Sequence, residues 1–120
     1  MILIDTSIWA DHFDRTDDRL VDLGNAGYIR THPYVVGELS AGNLRPWENT
    51  VAALRALPST PVLSDDAFCD FIQNRKLMGS GLSFVDIHIL ASAIDRQWQL
   101  WTRDKKLAVK AAELNCSYLP

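Results

Sequence analysis

Cysteine is scarce in this 120-residue chain: Cys69 and Cys116 are the only two, and neither belongs to a C-x-x-C pair. That excludes a disulfide scaffold and a zinc ribbon, and the apolar neighbours of both predict buried free thiols, suited to a reducing cytoplasm. No apolar run approaches the roughly 20 residues needed to span a bilayer. No basic leader precedes the short apolar opening, so a soluble cytoplasmic protein is expected. A basic excess is missing as well. The formal charge of −3 speaks against sequence-independent binding to nucleic acid through a broadly basic surface. Low-complexity tracts, internal repeats and linkers are absent.

What the chain does have is the composition of an ordinary globular protein, 48% hydrophobic and 22% charged. A chain of this length buries roughly two-thirds of its unfolded surface, which supports one self-contained domain over residues 1–120. Met1 to Ile4 is a short, wholly apolar run, the mark of a strand covered on both faces. Further strands are expected at Tyr28 to Thr31, Thr60 to Leu63, Gln99 to Thr102 and Cys116 to Leu119. Helices are expected over Ser7 to Arg15, Asp17 to Gly24, Pro33 to Ala41 and Trp47 to Ala56. Three more should run from Ser64 towards Met78, from Ser83 to Gln97 and from Lys105 to Leu114. Ser64 and His32-Pro33 supply helix starts, and Ile87, Leu90, Ala91 and Ile94 recur at helical spacing. Strands alternating with helices predict an α/β fold: a parallel sheet of about five short strands, flanked by helices on both faces and joined by right-handed crossovers.

Four carboxylates fall where strand-like or apolar runs end: Asp5 in MILIDTSIW, Glu38 in YVVGEL, Asp86 in LSFVDIHIL and Asp104 in QLWTRDKKL. In a parallel sheet such ends share one edge, so acids distant in sequence can meet in one cleft. Each aspartate also has a structural reading. Asp5 and Asp104 precede helices and can cap them, and Ser83 with Asp86 has capping-box spacing. Glu38 lies about a turn inside its helix among Val35, Val36 and Leu39, where capping does not apply. If the acids converge, two carboxylates about 4 Å apart repel by roughly 4 kcal/mol at an effective dielectric near 20, and a cation relieves that cost. An all-oxygen donor set favours Mg²⁺, with Mn²⁺ as a substitute, over Zn²⁺.

These strings, in this order and spacing, resemble the PIN-domain ribonucleases, most closely the VapC-type toxins of prokaryotic toxin–antitoxin pairs, over essentially the whole chain. MILIDTSIW resembles the opening strand with the first acid, Asp5, and Ser7 beside it. VVGELSAG resembles the helix of the second, Glu38; VDIHILASA that of the third, Asp86; and LWTRDKKL the T-x-D element with Thr102 and Asp104. The resemblance implies metal-assisted hydrolysis of RNA to a 5′-phosphate and a 3′-hydroxyl. Asp5, Asp86 and Asp104 would hold the ion, Glu38 would orient or deprotonate water, and Ser7 and Thr102 would tune the carboxylates or touch the phosphate. It also implies an antitoxin partner and a homodimer.

Other classes fit less well. A phospho-receiver domain needs an acid pair after its first strand, and a dehalogenase-like phosphatase needs D-x-D-x-T, where this chain has Asp5-Thr6-Ser7. A non-catalytic PIN-like module binding RNA or protein is the remaining alternative. His88 departs from the small residue many relatives carry there. Two positions from Asp86 is almost the opposite helix face, so it is expected to pack or meet a partner. His12 and His32 lie in no ligand-spaced pair. Arg75, Lys76, Arg103, Lys105 and Lys106 are candidates for phosphate contacts or a solvated rim. Trp98 and Trp101 are expected in core or subunit packing, with Trp9 and Trp47 more open to a partner.

Overall fold

Ile2, Leu3 and Ile4 are each at most 5% exposed. Successive strand residues point to opposite faces, so three buried in a row require cover on both sides of the sheet. In the computed structural model, which describes residues 1–120, they form β1 (Ile2–Ile4). There follow α1 (Thr6–Asp14), α2 (Asp18–Asn25), β2 (Ile29–Arg30), α3 (Pro33–Ser40), α4 (Trp47–Arg55), α5 (Asp65–Arg75), α6 (Phe84–Arg96), β3 (Gln99–Trp101) and α7 (Lys105–Glu113). The sheet is parallel with order β2-β1-β3. One core joins the strands to Ile8, Val35, Leu39, Ile89, Leu90, Leu100 and Leu107. No helix is long and apolar enough to cross a membrane.

The helix boundaries lie close to those expected, and the caps explain why. Asp17, Ser64, Ser83 and Asp104 each accept an amide hydrogen bond at a helix start. α5 stops at Arg75, short of Met78, because Lys76 turns left-handed at φ 54° and the Leu77 amide bonds back to the Ile72 carbonyl. That turn buries Leu77.

The sheet has three strands where about five were expected. Around Thr60 to Leu63 there is no ladder: Pro61 has no amide to donate, and the nearby link to β2 is a single bond from the Thr31 amide to the Pro58 carbonyl. Cys116 to Leu119 contributes one isolated bridge, Leu100 to Ser117. In β3, Gln99 and Trp101 face β1, so Leu100 alone offers its amide and carbonyl outward; these meet Cys116 and Tyr118.

Two side-chain expectations also change. Cys69 is exposed, not buried, while Cys116 is buried. The partly buried stripe of α5 is Phe68, Phe71 and Ile72, and Cys69 stands about 100° round the axis from Phe68. Trp9 is buried, with its ring stacked on Phe13, and so is not open to a partner. Trp47 is exposed, its indole N–H donating to the Ser40 carbonyl.

His32 and Pro33 start α3 together. His32 is fully buried; its Nδ1 accepts from the Tyr34 amide at 2.9 Å, and its Nε2 has no partner. Burial first, then the neighbouring His88, lowers its pKa from 6.5 to about 4. The unfolded chain therefore takes up this proton before the folded one does. The neutral ring costs nothing above about pH 6.5 and becomes a liability as pH falls towards 4. We predict that the unfolding free energy drops by up to about 3 kcal/mol across that window through this group. His32→Asn, which retains an acceptor at the cap, flattens that part of the profile. Denaturant unfolding at stepped pH checks this, and identical slopes for the two proteins would refute it.

Candidate active site

The register of β1 against β3 builds the centre of the site. Ile4 pairs with Trp101, the Asp5 amide donates to the Trp101 carbonyl at 3.0 Å, and the next residues out of the sheet are Asp5 and Thr102. The chain leaves β1 for β2 on one side, while β3 lies on the other. The two strand ends therefore flank the point where strand order reverses, the usual crevice of an open parallel sheet. Asp5 is 5% exposed. Its Oδ2 accepts from both the Ser7 and the Thr102 hydroxyl, each at 2.7 Å. Although Asp5 occupies the N-cap position of α1, its side chain makes no capping bond. Ser7 Oγ in turn accepts from the Arg103 amide, and Thr102 Oγ1 from the Asp104 amide, both at 3.0 Å.

Asp86 and Asp104 do cap. Asp86 Oδ2 accepts from the Ser83 amide in a complete capping box, and Asp104 Oδ1 accepts from the Leu107 amide. In all three aspartates one oxygen serves the fold while the other carries no protein hydrogen bond. Capping and ligation therefore do not compete for the same lone pairs.

The electrostatics connect the three. Burial holds the half-buried Asp86 carboxyl above its ordinary pKa, and the nearby charges of Asp5 and Asp104 push it the same way, against the lowering hydrogen bonds from Ser83. Glu38 is not among the charges acting on it. It is exposed on α3 and accepts from Thr6 Oγ1 at 2.8 Å, so Thr6 links it to the backbone between Asp5 and Ser7. No three His, Cys, Asp or Glu side chains close around one point tightly enough to cage an ion. Magnesium does not need such a cage: it keeps several waters and takes one or two carboxylates. An oxygen-only cluster that raises its own member's pKa suits that ion.

The basic residues divide. Arg103 makes two ion pairs, with Asp11 and with Asp17 across α1 and the start of α2. Lys105 and Lys106 are exposed and enter no ion pair. Lys106 leans over the loop before α6, its Nζ 3.1 Å from where a Cβ on Gly81 would stand. His88 packs, as its helix position implied: it is 1% exposed, and its ring stacks on Phe68 at 4.0 Å. Burial lowers its pKa, opposed by Asp65. Thr6 escaped the sequence reading. Its one signal was adjacency to Asp5, because the partner it meets is 32 residues away.

Residues 2–113 match the PIN domain family. The chain is 38% identical over 114 residues to ribonuclease VapC32 of Mycobacterium tuberculosis, in strains CDC 1551 / Oshkosh and ATCC 25618 / H37Rv; the match covers 94% of this chain and 92% of the relative. The crystal structure of PAE2754 from Pyrobaculum aerophilum shares the fold. Its TM-score is 0.62 at 16% identity, covering 91% of this chain and 83% of that one.

The shared electrostatics are testable without substrate. Asp104→Asn keeps an acceptor for the Leu107 amide and removes one charge. We predict that the Asp86 carboxyl then titrates at lower pH, while burial still holds it above the ordinary value. Carboxyl-carbon NMR reads this directly, and an Asp86 curve that does not move would mean that the two acids do not sense each other.

Proposed function

The chain belongs to the PIN-domain family, and on that footing we propose that it is a metal-dependent endoribonuclease, its single catalytic unit spanning residues 1–120. The observation that carries the reading is the β1–β3 register, which brings Asp5 and the Thr102-Arg103-Asp104 segment to one crevice beside Asp86. The resemblance to a named ribonuclease over nearly the full length supports it.

In this mechanism Asp5, Asp86 and Asp104, each with one oxygen not engaged within the protein, would hold Mg²⁺ or Mn²⁺. The bound ion would supply Lewis-acid polarisation of a phosphate oxygen and a lowered pKa for water. The chain's own groups do the rest. Ser7 and Thr102 fix the rotation of Asp5 by donating to a single oxygen, and their lone pairs are in turn tied to the Arg103 and Asp104 amides. Glu38, oriented by Thr6, takes the proton of the attacking water; as the new P–O bond forms the P–O3′ bond breaks, leaving a 5′-phosphate, and a proton from solvent completes the 3′-hydroxyl. Asp86, raised by burial and by its neighbours, is the acid that a cation relieves most directly. As the resemblance to VapC-type toxins implies, the chain works in the cytoplasm as a toxin, forms a homodimer and is held by a cognate antitoxin.

We predict that the purified protein, freed of any partner, cleaves RNA with Mg²⁺ or Mn²⁺ and not in chelator. Asp5→Asn and Asp86→Asn abolish cleavage with circular dichroism unchanged, since asparagine keeps an acceptor for the local hydrogen bonds. Glu38→Gln slows cleavage roughly 10²- to 10⁴-fold. Undiminished cleavage in chelator would remove the metal from the mechanism, and undiminished cleavage by Asp5→Asn would remove the site.

A further inference from the structure

Beside the acidic crevice lies a groove of about 460 Å³ between α1, α3 and the loop into α4, a volume in the range of clefts that hold small-molecule-sized groups, about 300–1,000 Å³. Thr6 and Glu38, hydrogen-bonded to each other, form the wall shared with the proposed site. Phe13 lines the groove and remains 41% exposed. Its ring lies 5.8 Å from that of buried Trp9, within 20° of parallel, so it is an aromatic surface backed by the core rather than a loose side chain. Asn43 and Arg45 also line the groove, and Arg45 enters none of the chain's ion pairs.

We infer that this groove is a nucleobase subsite. The inference rests on the reading of the chain as a ribonuclease and names what decides where it cuts. Single-stranded RNA is read by splaying a base onto an aromatic face and hydrogen-bonding its edge. Here one unpaired base next to the cleaved phosphate lies on Phe13, the Asn43 amide meets its edge, and Arg45 pairs with a neighbouring phosphate. Ala10, Leu39, Leu44 and Asp14 share the lining, and within it an exposed aromatic platform, an amide and an unpaired guanidinium supply one partner each for base face, base edge and phosphate. Its continuity with Glu38 puts that base within a nucleotide or so of the reacting bond. The inference also accounts for an exposed Phe on a helix whose buried residues are Ile8 and Trp9.

Binding and cleavage separate the two layers of the inference. In the Asp5→Asn background, single-stranded oligonucleotides carrying each base at one position are titrated by fluorescence anisotropy. Phe13→Ala and Phe13→Leu should weaken binding roughly 5- to 150-fold, the value of one base–aromatic stack. They should also lose the preference between bases, whereas Phe13→Tyr retains both. If the alanine variant fails to fold, the leucine and tyrosine pair carries the comparison. In the cleaving protein Phe13→Leu raises KM more than it lowers kcat and shifts the mapped cut sites. Val109→Ala, at an exposed position on α7 outside the groove, leaves those sites in place. Leucine and tyrosine variants that bind and cut alike would overturn the subsite, as would an antitoxin segment filling the groove while Phe13→Leu leaves RNA binding intact. A wild-type protein that cuts no RNA at all would instead overturn the proposed function.

Discussion

Where β1 and β3 end side by side, two segments 97 residues apart pass together from sheet to site. The pairing of Ile4 with Trp101 is backbone chemistry, yet it decides which side chains emerge next to each other. A slip of one residue would turn Leu3 and Leu100, both essentially unexposed, towards the opposite face of the sheet. The apolar core thus enforces the register, and the register brings the Thr102 hydroxyl onto Asp5. Packing energy in this way determines carboxylate geometry without any residue serving both roles.

The same economy appears in the aspartates. A buried or half-buried acid needs partners, and each of the three has found them in a hydroxyl pair or a helix-start amide. At Asp86 the hydrogen bonds from Ser83 favour the ionised form that burial and the neighbouring charges disfavour. Burial and the two other charges prevail, and its carboxyl sits above the ordinary range. A fold that keeps such an arrangement carries a local electrostatic cost, which a bound cation would cancel.

Around this centre the surface is unevenly committed. Arg103 pairs with Asp11 and Asp17, joining the T-x-D segment to the α1–α2 corner, although exposed pairs of this kind add little stability. Lys105 and Lys106 sit in the first turn of α7, where positive charge opposes the helix dipole, and neither has an acidic partner. On the Glu38 side the groove sets the exposed Phe13 ring beside Arg45. With a net charge of −3, the chain presents local cationic and aromatic groups rather than a general positive field.

The alternation of strand and helix, the helix starts at Ser64, Ser83 and Asp104, and the four acids at run ends were legible in the letters, because apolar periodicity and capping act over three or four residues. The packing of His88 away from the site followed from helical spacing for the same reason. Other features were not legible. Two expected strands failed because a ladder depends on what its neighbour offers: β3 presents only Leu100 outward, and Pro61 brings no amide. Exposure of Cys69 and burial of Trp9 were settled by which face of a helix met the core. That Asp5 makes no cap, that Arg103 turns to Asp11 and Asp17, and that Thr6 reaches Glu38 are long-range pairings with no local signal. Sequence determined which residues carry charge and where elements begin, since those are properties of neighbours along the chain. Only the tertiary structure decided which carboxylates share a crevice, because distance through space is set by register and packing between segments that do not adjoin.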